Sequence, residues 1–177
     1  DQAFLYDSTR DGDVYDGRAT SAKLSGAGYA NSARYFDAVY GYSTGGRDSA
    51  LLVGSIGNDT FTGRPDYSVL KGSTIPTTSY SNYYHCVKKF KTVTSIGGNG
   101  SDYANLYDST APTQLNVGVL PAEVSMYDRP ENWTFRYVVS GYKRVSAYST
   151  HAGNTRNTPP DPETLAYAMV YYGPWDN

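Results

Sequence analysis

Glutamate occurs only three times in 177 residues, as Glu123, Glu131 and Glu163, and the remaining composition favours strands over helices. Strong helix formers are scarce, so a helical bundle has little to build on. No run of about eighteen apolar residues exists, which excludes a helical membrane span. The segment at Asp1 lacks the basic and apolar regions of a signal peptide, which fits a chain that begins after processing. Charged residues make up 18% of the chain with a net charge of −2, and the basic ones are scattered, so nucleic acid is not an expected partner. The one basic run, Lys88 to Lys91, is interrupted by Phe90 and follows Val87, as in a strand with one solvated face.

Cysteine is nearly absent as well. Cys86 alone makes no intrachain disulfide, and in Tyr83-Tyr-His-Cys-Val87 it reads as a buried small hydrophobe. His85 and Cys86 fall on opposite faces of any strand and so make no Cys/His dyad. The other histidine, His151, sits in a polar Gly-rich segment, and zinc is not indicated. Nucleophile elbow, phosphate loop and HExxH are all missing, and no acidic pair is singled out for glycoside chemistry. An enzyme is not expected.

What the chain has in quantity is tyrosine (19) and glycine (18), with many Ser, Thr and Asn. Tyr and Thr fit a pleated, half-buried surface, and Gly, Asn and Asp fit its corners, so the composition is all-β.

The order is repetitive. Asp1-Gln-Ala-Phe-Leu-Tyr-Asp-Ser8 returns as Asp48-Ser-Ala-Leu-Leu-Val-Gly-Ser55 and as Asp102-Tyr-Ala-Asn-Leu-Tyr-Asp-Ser109. Phe36-Asp-Ala-Val39, Phe90-Lys-Thr-Val93 and Tyr142-Lys-Arg-Val145 form a second set, each leading to a Gly-rich corner. A period of about fifty residues divides one domain, 1–177, into units near 1–47, 48–101 and 102–162, with a terminal segment 163–177.

Homologous strands are expected at Ala3 to Tyr6, Ala50 to Val53 and Ala104 to Tyr107, and again at Val39 to Tyr42, Val93 to Ile96 and Val145 to Tyr148. Further strands are expected at Val14-Tyr15, Thr60 to Thr62 and Gln114 to Val117, and at Ala22 to Leu24, Ser68 to Leu70 and Glu123 to Met126. Units of four or five strands stack as a β-solenoid, with equivalent strands in parallel sheets, or pair antiparallel as a β-sandwich or Greek key. The recurrence of the corners in register favours the solenoid.

After Thr158-Pro-Pro-Asp-Pro162, the segment Thr164 to Tyr172 resembles the opening strand of a fourth unit. A strand without its own rung is either capped, with Trp175 as the cap, or completes another chain. The expected assembly edges are therefore Ala3, Phe4, Leu5 and Tyr6 at one end and Leu165, Tyr167, Met169, Tyr171, Tyr172 and Trp175 at the other. This points to a homo-oligomer or homopolymer joined end to end.

Asp11, Asp13 and Asp16, with Asn58 and Asp59 as counterparts in the second unit, are the oxygen-rich corners where calcium would bind; otherwise they cap turns, and no cofactor is required. Sequons stand at Asn58, Asn99 and Asn132. Trp133 and Trp175 are the residues a carbohydrate-binding surface would use, against packing as the plainer role.

The segments Ser25-Gly-Ala-Gly-Tyr-Ala-Asn31, Phe36-Asp-Ala-Val39, Asp48-Ser-Ala-Leu-Leu52 and Gly57-Asn-Asp-Thr-Phe61 resemble tandem repeats of large secreted bacterial surface proteins, planctomycete-type ones in particular, described as haemolysin-type calcium-binding-like. The resemblance covers most of the first 110 residues. It implies an extracellular or cell-surface location, an adhesin or matrix role, glycans as partners, and calcium. The nonapeptide G-G-x-G-x-D-x-U-x is approached only at Gly97 to Asp102, and no consecutive copies follow, so a calcium-filled roll is not implied. The expected role is a structural, self-assembling subunit of a surface fibre or matrix; the alternative is an adhesion or carbohydrate-binding module.

Overall fold

The computed structural model describes residues 1–74, 82–118, 122–128, 134–158, 165 and 167–176, and every regular element among them is a β-strand. The first unit contains β1 (Gln2–Tyr6), a three-stranded meander of β2 (Val14–Arg18), β3 (Ser21–Gly26) and β4 (Tyr29–Arg34), then β5 (Ala38–Tyr42). The second contains β6 (Ser49–Val53), the meander β7 (Asp59–Arg64), β8 (Tyr67–Gly72) and β9 (Tyr83–Lys88), then β10 (Thr92–Ile96). The third contains β11 (Tyr103–Tyr107), the meander β12 (Thr113–Val117), β13 (Glu123–Asp128) and β14 (Arg136–Ser140), then β15 (Arg144–Tyr148). β16 (Thr155–Asn157) and β17 (Ala168–Tyr172) complete the seventeen.

Two sheets share these strands. Sheet A has the order β1-β5-β9-β8-β7-β11-β15-β17, and sheet B the order β16-β12-β13-β14-β10-β6-β2-β3-β4. Each unit begins on one sheet, makes its meander on the other and returns, so the next unit begins on the opposite sheet. The equivalent strands β1, β6 and β11 therefore alternate A, B, A. The sequence-based expectation that equivalent strands stack on one another is corrected here: an out-and-back path leaves the chain on its starting sheet, and the following corner carries it across. Pairing between units is parallel, as in β2 with β6, β5 with β9, β7 with β11 and β10 with β14. Pairs within each meander are antiparallel.

The alternation of apolar residues fills one core between the sheets. Leu5, Leu70 and Leu106 from sheet A meet Leu24, Leu52 and Leu115 from sheet B, all buried. Each such side chain contributes about 1.5–3 kcal/mol when removed from water. Phe61 and Tyr137 meet edge to face across the sheets, with ring centroids 6.4 Å apart. The Tyr15 hydroxyl donates to Nδ1 of buried His85 at 2.8 Å, and His85 Nε2 donates to the Arg18 carbonyl at 2.8 Å. Burial lowers the His85 pKa, so the ring is neutral, in keeping with these two bonds.

One backbone signature recurs at the end of each third meander strand. Tyr35 and Lys89 take φ of +61°, and Gly141 and Gly173 take +74° and +79°, directly after β4, β9, β14 and β17. In the first three cases the next residue is Phe36, Phe90 or Tyr142, packed on the core. β17 is thus the counterpart of a third meander strand, not of an opening strand; β16 holds the opening position. Asp176 makes a single parallel bridge to Thr155, where the closing strand of a fourth unit would lie.

Candidate functional site

The corners entering the units are held by buried polar side chains. Asp48 Oδ1 accepts from the amides of Gly12 and Asp13 at 2.9 and 2.8 Å, and its Oδ2 accepts from the Ser43 hydroxyl. Asp102 repeats this on the amide of Asp59 at 2.7 Å, and Asn154 on the amide of Thr113 at 2.8 Å. Asp13 and Asp59 in turn accept from the amide and hydroxyl of Ser8 and Ser55. These bonds tie each unit to the one before it.

The corners differ in charge. At the third corner a single carboxylate, Asp108, accepts from the Asn154 amide nitrogen at 2.7 Å and from the amide and hydroxyl of Thr150 at 2.7 and 3.0 Å. At the first, Asp7, Asp13 and Asp48 bring carboxylate oxygens within 4.8 Å of one another. Burial raises the Asp7 pKa, and the charges of Asp48 and Asp13 raise it further, against the Thr44 amide that lowers it. For Asp13, burial is outweighed by the Ser8 hydroxyl and amide, and the pKa falls. If this chain holds a divalent cation, these three residues are its best ligand set. The grouping expected from sequence, Asp11 and Asp16 around Asp13, is not the one formed: Asp16 pairs with Arg18 at 3.0 Å on the outside of sheet B, and Asp11 is exposed. Asp59 is buried and fully engaged, and Asn58 is exposed, its Oδ1 accepting from the Ser101 amide at 2.8 Å. Asn99 is exposed; Asn132 and Trp133 lie outside the described residues.

The outward side of sheet A carries a second arrangement. Cross-strand register places Tyr6, Tyr42, Lys88, Tyr67 and Arg64 side by side on β1, β5, β9, β8 and β7. The Arg64 guanidinium lies 3.9 Å above the ring of Tyr107, and the row continues through Tyr148 and Tyr172 on β15 and β17. Every strand of the sheet contributes one residue, a row of about 34 Å at the usual strand spacing of about 4.8 Å. Tyr6 and Tyr42 stack at 4.9 Å and 12°, Tyr107 and Tyr148 at 4.5 Å and 7°, and Tyr148 and Tyr172 at 4.5 Å and 5°. Lys88 Nζ sits 5.4 Å from the Tyr42 ring centre. Ring faces are therefore largely taken up by neighbours, and the row presents ring edges and hydroxyls to solvent.

A parallel row four residues away along the strands contains Tyr84, Lys71, Tyr103 and Arg144. Between the two, on β9, β8, β7, β11 and β15, runs a line of smaller side chains, Cys86, Val69, Thr62, Asn105 and Ser146, while on β1 and β5 the same line holds the stacked rings of Phe4 and Tyr40. Cys86, Val69 and Ser146 are buried there. Part of this line forms a trough of about 330 Å³ lined by Thr60, Tyr103, Asn105, Arg144, Ser146 and Tyr148.

Sheet B lacks this surface, although repeat equivalence would give it the same residues. Tyr6 and Tyr107 on sheet A correspond to Val53 on sheet B, and Tyr42 and Tyr148 correspond to Ile96. Tyr127 is the one aromatic at an outward strand position of sheet B among the described residues. The tyrosines thus follow the face and not the repeat. Their signal in the sequence was an alternation of Tyr with Val or Ile between odd and even units, which reads as noise until the units are known to exchange sheets.

The expected assembly residues divide between core and surface. Leu5 and Tyr167 are buried; Ala3, Leu165, Met169, Tyr171 and Trp175 are partly buried against the core, with the Trp175 indole donating to the Tyr172 carbonyl at 3.2 Å. Phe4, Tyr6 and Tyr172 are the exposed ones. β1 and β4, at the same end of the stack, each have one side without a strand partner among the described residues. Comparison with family models, with curated proteins and with solved structures finds no match for this chain, so the site is read from its own chemistry.

Proposed function

We propose that the chain is a solenoid-type, repeat-built adhesion module of a cell surface or extracellular matrix, which uses the outward face of sheet A to bind an extended glycan. The observation that carries this reading is the placement of tyrosine: equivalent positions hold Tyr on sheet A and Val or Ile on sheet B. A ladder needed only for stability would serve either sheet. Because the rings stack on one another, contact is through hydroxyls and ring edges, with the line of small residues as the floor of the binding track.

The test is retention on a panel of immobilised polysaccharides, comparing the parent with Tyr107→Phe/Tyr148→Phe/Tyr172→Phe. Phenylalanine keeps the stacking and removes the hydroxyls. Loss of retention with unchanged unfolding temperature is the expected result; equal retention refutes the reading. Tyr127→Phe on sheet B is the control.

A second reading is self-association, favoured by the edges of β1 and β4, without a strand partner among the described residues, with Phe4 and Tyr6 exposed beside them. Filaments or oligomers in electron micrographs, abolished by Leu5→Pro, are its expected result; a monomer at all concentrations sinks it.

A further inference from the structure

We propose that the ligand of sheet A is an anionic linear polysaccharide, lying across the strands between the two outward rows and held by cations from both. This rests on the glycan-binding reading above and specifies its substrate class.

Among the outward positions of the eight strands of sheet A there is no Asp or Glu, and four cations are present: Arg64 and Lys88 in one row, Lys71 and Arg144 in the other. The chain as a whole is net negative at −2, so the positive character belongs to this face and not to the protein. None of the four pairs with a carboxylate among the described residues; the ion pairs there join the N-terminus to Asp37, Arg18 to Asp16 and His151 to Asp108. Two rows separated by four residues along a strand stand about 13 Å apart, room for one polymer chain between them. Along the other direction the cations lie on β9, β8, β7 and β15 and span about 20 Å at the usual strand spacing. Asp66 and Asp108 stand beyond the ends of the sheet A strands and, with Asp128 of β13, line a hollow of about 530 Å³ that shares Arg64 and Tyr107 with the first row.

Two other occupants fit less well. A second copy of the same face would set four cations against four. A single-stranded nucleic acid needs a run of free ring faces for its bases, and here the rings of Tyr6, Tyr42, Tyr107, Tyr148 and Tyr172 are stacked on one another or covered by Arg64 and Lys88. That leaves Tyr103 as the exposed ring of the trough without a stacking neighbour among the described residues.

The probe pair is polygalacturonate and its fully methyl-esterified form, which share a backbone and differ in charge. Binding of the intact chain to polygalacturonate is expected to be at least about tenfold tighter than to the ester, to weaken as salt is raised, and to drop about tenfold in Lys71→Gln/Arg144→Gln. Lys23→Gln/Arg34→Gln on sheet B is expected to change nothing. Equal binding to the two polymers overturns the anionic assignment while the glycan reading stands. Binding to neither, with no neutral polysaccharide retained either, overturns both. Tighter binding to poly(dT) than to polygalacturonate, lost in the same double variant, also overturns it and gives the face to nucleic acid.

Discussion

The molecule contains its own control for the acidic corner, because Asn154 stands at the third corner where Asp48 stands at the first. Replacing Asp48 by Asn copies that solution: Oδ1 still accepts the amides of Gly12 and Asp13, and the new amide donates to Asp7, as Asn154 donates to Asp108. With carboxylate oxygens up to 4.8 Å apart, a fully ionised pair at an effective dielectric of about 20 costs about 3.5 kcal/mol. Against this stand weakened charge-assisted bonds from two amides and Ser43, about 1–2 kcal/mol in total. The net expectation is a gain of about 1.5–2.5 kcal/mol at pH 7, measured by urea unfolding in the presence of chelator. The sign of the pH dependence follows from Asp7, whose pKa in the folded chain is raised above the ordinary value of 3.8 by burial and by the neighbouring Asp48 and Asp13. Such a group favours folding most when protonated, and the parent loses that contribution as pH rises from 3.8 through the raised value. The advantage of the variant therefore grows across that window and is absent at pH 3. A variant less stable than the parent at pH 7, or a gain of the same size at both pH values, refutes the reasoning.

Lys89→Gly is expected to stabilise by about 0.5–1 kcal/mol, since Lys89 holds a positive φ that Gly141 and Gly173 take without a Cβ penalty; thermal unfolding measures it. Gly98→Ala places a Cβ 1.5 Å from the Ser55 carbonyl oxygen of the adjacent corner and is expected to cost at least about 3 kcal/mol, seen as loss of soluble protein. Tyr15→Phe leaves buried His85 Nδ1 without its donor and is expected to cost about 1–2 kcal/mol in urea unfolding. Tyr148→Ala removes two near-parallel stacks, at 4.5 Å each, and is expected to cost about 1–3 kcal/mol, where Tyr148→Phe is close to neutral.

The strands nearest the repeat signatures were legible in the sequence. Ala3 to Tyr6, Ala50 to Val53 and Ala104 to Tyr107 form β1, β6 and β11, and the Val39, Val93 and Val145 segments form β5, β10 and β15. β4 and β14 are not legible because Tyr29–Arg34 is mostly exposed and polar, and Arg136–Ser140 shares too little of its residue string with its counterparts β4 and β9 to mark it. The exchange of sheets was not legible at all, since a two-residue alternation says which side of a strand is buried but not which sheet it joins. The site depends on that exchange. Tyr42 and Lys88, or Tyr107 and Tyr148, are more than forty residues apart, and only parallel pairing brings them together. Of the aspartates expected at a corner, Asp13 holds one while Asp16 lies within β2, and the grouping of Asp7 and Asp48 with Asp13 is not legible in the sequence because it comes from stacking one unit on the next.

The most direct test of the central claim is an amide chemical-shift map of the isotope-labelled chain titrated with a short oligogalacturonate. The account predicts shifts on outward positions of sheet A, centred on Lys71, Tyr103, Arg144 and Tyr148, with sheet B silent. Shifts confined to sheet B, or to the edges of β1 and β4, would contradict it.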